Sequence, residues 1–184
     1  MNKVEKHPFE PFVNKDATIL IIGSFPCMNK DEGYGEWFYS GSGKNEFWKL
    51  LSDVFQMPAN NREQMKNLCR HNKIAITDIA SQIQRKKNTC SDSNLLIDVF
   101  NKSGIEKCLT REIKRILCTS KFVEKKLRAN MPEIQVPIYA LLPPSPAANR
   151  YVASLQDYKT QKQNNKITSV YDFKLWNYKG LFKQ

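Results

Sequence analysis

Four short apolar runs punctuate the chain, each rich in β-branched residues. They are Ala17-Thr18-Ile19-Leu20-Ile21-Ile22, ended by Gly23, then Lys73-Ile74-Ala75-Ile76-Thr77, Ile113-Lys114-Arg115-Ile116-Leu117-Cys118 and Val136-Pro137-Ile138-Tyr139-Ala140-Leu141. Runs of this kind read as buried strands that empty into loops. Between them the period changes. Asn45 to Phe55 places Phe47, Trp48, Leu51 and Phe55 on one helical face, and Phe122, Val123 and Leu127 do the same after Ser120. A closing amphipathic helix is predicted from Ile167 to Phe182, and the polar Lys159 to Lys166 before it reads as a mobile connection. Strands alternating with helices predict an α/β fold, a three-layer sandwich whose mainly parallel four-stranded sheet is covered on both faces. Ligands of such sheets bind beyond the carboxyl ends of the strands. That directs the search to Gly23–Cys27, Asp78–Arg85, Thr119–Ser120 and Leu142–Asn149.

Length and composition narrow the picture. The 184 residues fit one domain, expected to span 1–184, with no repeat and no domain-length linker. No apolar run approaches the ~18 residues of a membrane span, so no membrane partner is expected. The stretch Met1 to His7 lacks the apolar segment of a secretory signal, and an intracellular, cytoplasmic location follows as the expectation. Five scattered cysteines, Cys27, Cys69, Cys90, Cys108 and Cys118, include no Cys-x-x-Cys pair. They read as reduced, mostly buried thiols with no disulfide framework, no metal and no cofactor. The net charge of +11 favours a polyanionic partner, against the plainer reading of lysines that only solubilise the surface. Arg85-Lys86-Lys87 and Lys121, Lys125, Lys126 and Arg128 are the densest basic clusters.

Five segments, in one order, give the sequence a family resemblance. They are His7-Pro8-Phe9-Glu10-Pro11, then Ile19 through Gly23-Ser24-Phe25-Pro26-Cys27, then Phe38-Tyr39 with Asn45-Glu46-Phe47-Trp48. Ile76-Thr77-Asp78-Ile79 with Ser91-Asp92-Ser93 comes next, and Leu142-Pro143-Pro144-Ser145-Pro146-Ala147-Ala148-Asn149 is last. Together they resemble the hypoxanthine-type (deoxyinosine) branch of the uracil-DNA glycosylase superfamily over roughly residues 7 to 155. The resemblance implies a monomeric, monofunctional DNA glycosylase of base-excision repair that flips out hypoxanthine or uracil and removes it by hydrolysis. No lysine stands out as a Schiff-base nucleophile. The alternative is a superfamily member with altered or lost catalysis that serves as a nucleic-acid-binding module.

A glycosylase needs a stacking surface, hydrogen bonds to the base edge and a polar group near the sugar carbon. Gly23, Ser24 and Phe25 would supply base-binding walls and backbone contacts. Tyr39 is the favoured stacking ring, unless Trp37-Phe38-Tyr39 only packs the loop onto the sheet. In the resemblance Phe25 stands where better-known branches carry a water-activating Asp or Asn, which moves the catalytic role to Asn45. Its amide can orient a water and donate to the base, although Asn is also a favoured helix cap. Asp78 is the second catalytic candidate, a base-edge reader offset by Arg85 or protonated, or else a cap. Lys44, Ser145, Asn149 and Arg150 are the expected DNA contacts, with Arg150 filling the gap left by the flipped base. Pro143 stands where uracil-removing branches place a histidine, and Ser40-Gly41-Ser42-Gly43-Lys44 replaces a shorter link. Of the two histidines, His7 reads as structural.

Overall fold

The computed structural model describes residues 3–28, 33–87 and 89–183, so Met1 and Asn2 of the polar start lie outside the described residues. The first half of the chain holds β1 (Val4–Lys6), β2 (Ile19–Gly23), α1 (Phe47–Phe55), α2 (Arg62–His71), β3 (Ile74–Asp78), β4 (Ala80–Arg85) and β5 (Leu95–Phe100). The second half holds α3 (Lys102–Cys108), β6 (Arg115–Cys118), α4 (Lys121–Asn130), β7 (Ile138–Ala140), α5 (Asn149–Ser154), α6 (Gln156–Gln163) and α7 (Val170–Phe182). All four expected strands pair in parallel in the order β3-β2-β6-β7.

Alternation along each strand sorts the core into two layers. Ile19, Ile21, Ile74, Ile76 and Leu117 face one side, where they meet Phe47, Leu50 and Leu51 of α1, Leu68 of α2 and Tyr178 of α7. Leu20, Ile22, Ala75, Ile116 and Cys118 face the other, against Ile105 of α3 and Val123 and Leu127 of α4. The result is the expected sandwich. Among the described residues no helix is long and apolar enough to cross a membrane.

A second sheet, antiparallel in the order β1-β4-β5, was not foreseen. Its strands carry Gln82, Gln84 and Asp98 among their apolar residues and are only half buried, which hides the strand pattern. Ile79 joins the two sheets: its N–H donates to Gly23 O at 2.9 Å, and its carbonyl accepts from Asn101 N at 2.7 Å.

Two further expectations are corrected. The polar stretch Lys159 to Lys166 is not a loose connection, because α6 runs through Gln163 and Tyr158 buries against Phe173. The cysteines are not all reduced. Cys27, after β2, and Cys90, after β4, form a disulfide with Cα atoms 5.2 Å apart across a sequence separation of 63, while Cys69, Cys108 and Cys118 are free and buried. The pairing is made by the tertiary approach of two loops, which sequence spacing does not disclose.

Candidate active site

β3 lies on one side of β2 and β6 on the other, so the chain order reverses at β2 and opens a crevice beyond the ends of β2 and β6. A cavity of about 420 Å³ fills it, lined by Ser24, Phe25, Tyr39, Lys44, Asn45, Asp92, Ser120 and the Pro143–Ala148 loop, among others. That volume suits a small ligand such as a single base, since ligand pockets run ~300–1,000 Å³.

Tyr39 forms a buried wall of the cavity, in a left-handed backbone conformation with φ 62°. Such strain persists only where neighbours enforce it. Phe47 packs edge-on with ring centroids 4.4 Å apart, and the Tyr39 hydroxyl donates to Asp78 Oδ1 at 2.8 Å. Burial, followed by the charge of Asp78, holds the Tyr39 phenol well above its ordinary range, so it remains a donor.

Asp78 is therefore not where base reading would need it. It is wholly buried behind Tyr39 and does not line the cavity. Its second oxygen accepts from His7 Nε2 at 2.9 Å. The partner foreseen in Arg85 is absent from this group: Arg85 Nε donates to Glu5 at 2.9 Å, and its Nη atoms donate to Pro26 O at 2.9 Å and Thr89 O at 3.2 Å. Gly23 pairs with Asp78 across the parallel ladder, and a Cβ there would collide with Tyr39 and Asp78. Gly23 is thus the floor beneath that pair rather than a cavity wall.

The acid in the cavity is Asp92. Ser24 Oγ donates to its Oδ1 at 2.7 Å and Ser120 Oγ to its Oδ2 at 2.8 Å, so one carboxyl bridges the ends of β2 and β6 at the crevice. The only signal for it in the sequence was its place in Ser91-Asp92-Ser93, beside no predicted strand end.

Asn45 lines the cavity and sits one residue before Glu46, the N-cap of α1, where its Oδ1 accepts from Phe47 N, the first residue of the helix, at 2.9 Å. That bond fixes the amide orientation, because only oxygen can accept from an N–H. One carbonyl lone pair and the NH₂ donors remain for a ligand. Phe25 is buried at the rim, edge-on to His7 and Tyr34 at 5.2 and 6.0 Å between centroids. In the glycine link before Asn45 only one of the two glycines is tightly placed: a Cβ on Gly41 would strike the carbonyls of Cys27 and Tyr34, whereas one on Gly43 would meet open space.

Across the cavity, the Pro143–Ala148 loop is anchored from behind. Lys174 of α7 is wholly buried and spends its three N–H donors on Glu46 Oε2 at 2.7 Å, Asn149 Oδ1 at 2.7 Å and Ser145 O at 3.4 Å. Glu46 N also donates to Pro144 O at 3.0 Å. Of the four expected DNA contacts, Lys44 and Ser145 line the cavity, Arg150 is exposed outside it, and Asn149 is occupied by Lys174. Lys174 was not foreseen, because a lone lysine in a helical period reads as solvent-facing.

No known protein-family model matches the chain. It is 26% identical over 120 residues to a hypoxanthine DNA glycosylase of Methanosarcina barkeri (strain Fusaro / DSM 804), covering 64% of this chain and 73% of that protein. A solution NMR structure from Methanosarcina acetivorans, provisionally assigned as a uracil DNA glycosylase, matches with a TM-score of 0.59 at 20% identity, covering 88% of this chain and 96% of that one. The structural likeness carries the fold, and the sequence match points the same way as the five ordered segments. On these grounds the chain shares the fold of that structure and is similar in sequence to a hypoxanthine DNA glycosylase.

Proposed function

We propose that the protein is a monofunctional DNA glycosylase that flips a deaminated base, hypoxanthine ahead of uracil, into this cavity and releases it by hydrolysis. The observation that carries the reading is the meeting of Tyr39, Asn45 and Asp92 in one cavity at the strand switch point. Tyr39 offers an aromatic wall, worth ~1–3 kcal/mol per stacked base. As the bond from sugar to base breaks, its electron pair leaves with the base, and the Asn45 NH₂ donates to that growing negative charge. Asp92, held by two hydroxyls, faces the positive charge developing on the sugar and orients the attacking water. The role first given to Asp78 passes to Asp92, and Asp78 becomes the support of Tyr39. Lys44 and Ser145 at the rim, with Arg150 outside it, meet the DNA backbone, in keeping with a net charge of +11. The protein acts as a monomer, as one domain spanning 1–184.

Duplex oligonucleotides carrying hypoxanthine, uracil or xanthine, treated with alkali after incubation, test this. Abasic sites from hypoxanthine are expected, lowered about 100-fold or more by Asn45→Ala, as for loss of one donor to developing charge. Strand scission without alkali would instead reveal a lyase step and overturn the monofunctional reading. The burial of apolar Phe25 at the cavity favours one second reading, a binding module without excision. Equal affinity for damaged and undamaged DNA, with no abasic product from any substrate between pH 6 and 9, would establish that reading.

A further inference from the structure

We propose that the Cys27–Cys90 disulfide is a redox-modification site that fixes the mouth of the cavity, opened by thiol or dithiol reductants and closed again by a disulfide or peroxide oxidant. The effect on DNA rests on the glycosylase reading; the site itself does not.

Placement carries the argument. Of the five cysteines, the two that line the cavity are the bonded pair, and Cys90 is exposed. The other three are inert by comparison: burial pushes Cys108 and Cys118 up to about 12 and Cys69 well above the thiol range. Thiol chemistry in this chain is therefore concentrated at the cavity rim.

The bond also sits where it can act on the site. Cys27 lies three residues after Ser24 and Cys90 two before Asp92, the residues joined by the 2.7 Å hydroxyl–carboxyl bond. The two loops are thus joined at two points, and Arg85 spans them beside the disulfide, donating to Pro26 O and Thr89 O, the residues just before Cys27 and Cys90. Cutting the covalent end leaves Thr89–Asp92 on hydrogen bonds alone, and Asp92 loses part of its fixed position.

The exchange balances. A reductant thiolate attacks the exposed Cys90 sulfur, and the S–S bonding pair departs on Cys27 Sγ, which takes a proton from water. A second thiolate attacks the mixed disulfide at the reductant's sulfur and frees Cys90, which is likewise protonated, so two electrons and two protons enter the protein. Reclosure returns both electrons to the oxidant.

The full-length protein is compared oxidised, reduced with tris(2-carboxyethyl)phosphine, and as C27S/C90S. Thiol counting in denaturant should give three in the oxidised form, from Cys69, Cys108 and Cys118, and two more after reduction; all five free in the oxidised sample overturns the site. Amide exchange across Thr89–Asn94 should quicken about ten-fold on reduction as local opening becomes easier, and unchanged exchange overturns the fixing of the mouth. Hypoxanthine release should fall about five-fold on reduction as preorganisation is lost, with C27S/C90S equally slow and deaf to reductant. Equal release by both redox forms overturns the link to the site. If neither form acts on any DNA, the glycosylase reading fails while thiol count and exchange still decide the redox site.

Discussion

On one side of the cavity the Ser24–Cys27 loop is tied to the Thr89–Asp92 turn by a disulfide, the Arg85 clamp and the hydroxyls on Asp92; on the other, the Pro143–Ala148 loop hangs on the buried Lys174. The first wall combines several ties, of which the disulfide is the covalent one and the rest are hydrogen bonds. The second gathers three chain segments onto one ammonium, so a single truncation strands Glu46, Asn149 and the Ser145 carbonyl together. The contrast separates sensitivities: the first wall answers to reductant, the second to side-chain chemistry.

Reduction is the largest expected perturbation of the first wall. Freeing a closed loop of this length removes up to about 4 kcal/mol of stability in the chain-entropy account, read as a lower urea midpoint in reductant. For the second wall, Lys174→Met should cost about 3 kcal/mol by urea unfolding, since it leaves a carboxylate facing a desolvated gap. Adding Glu46→Gln should recover part of that loss; two additive losses would show that the pair is not coupled.

Alkali discriminates next. Tyr178 of α7 is fully buried and donates to Leu142 O at 3.1 Å at the root of the second wall, and burial holds its phenol far above the usual value of 10.0. Tyr39 shifts the same way. Folded phenols keep their protons where unfolded ones lose them, so the stability they confer is complete below about pH 10 and drains away as pH rises above it. Urea midpoints taken from pH 8 to 11 should fall beyond pH 10, and Tyr178→Phe should soften the fall. The smallest effect is expected for Asp92→Asn in the first wall, about 1 kcal/mol in the same assay, because the amide can still bond both hydroxyls but without charge.

The parallel sheet was legible because buried parallel strands must be apolar on both faces, and Ile19–Ile22 and Ile74–Ile76 are. The helix after Ser120 was legible for a similar reason, with a capping hydroxyl that accepts from Val123 N. What stayed hidden depends on contacts between distant segments. Gln82 and Gln84 blur β4, the polar α6 is held by Tyr158, and Cys27 meets Cys90 only once the loops that follow β2 and β4, strands of two different sheets, come together. At the site, Tyr39 and Asn45, both proposed from the resemblance of Phe38-Tyr39 and Asn45-Glu46-Phe47-Trp48, line the cavity. Asp78 was misplaced because a strand-end carboxyl looks the same in sequence whether it faces the cavity or, as here, the back of a tyrosine.

That back-to-back arrangement has an evolutionary consequence. Any side chain at 23 collides with the Tyr39 hydroxyl and the Asp78 carboxyl, and Tyr39→Phe alone leaves Asp78 buried with His7 as its one remaining side-chain partner. Positions 23, 39 and 78 are then free to drift only as a set, and a lineage that lost the tyrosine hydroxyl alone would still require the glycine, because a Cβ there would stand 2.5 Å from Asp78 Oδ1 and 2.6 Å from ring carbon Cε1 of residue 39.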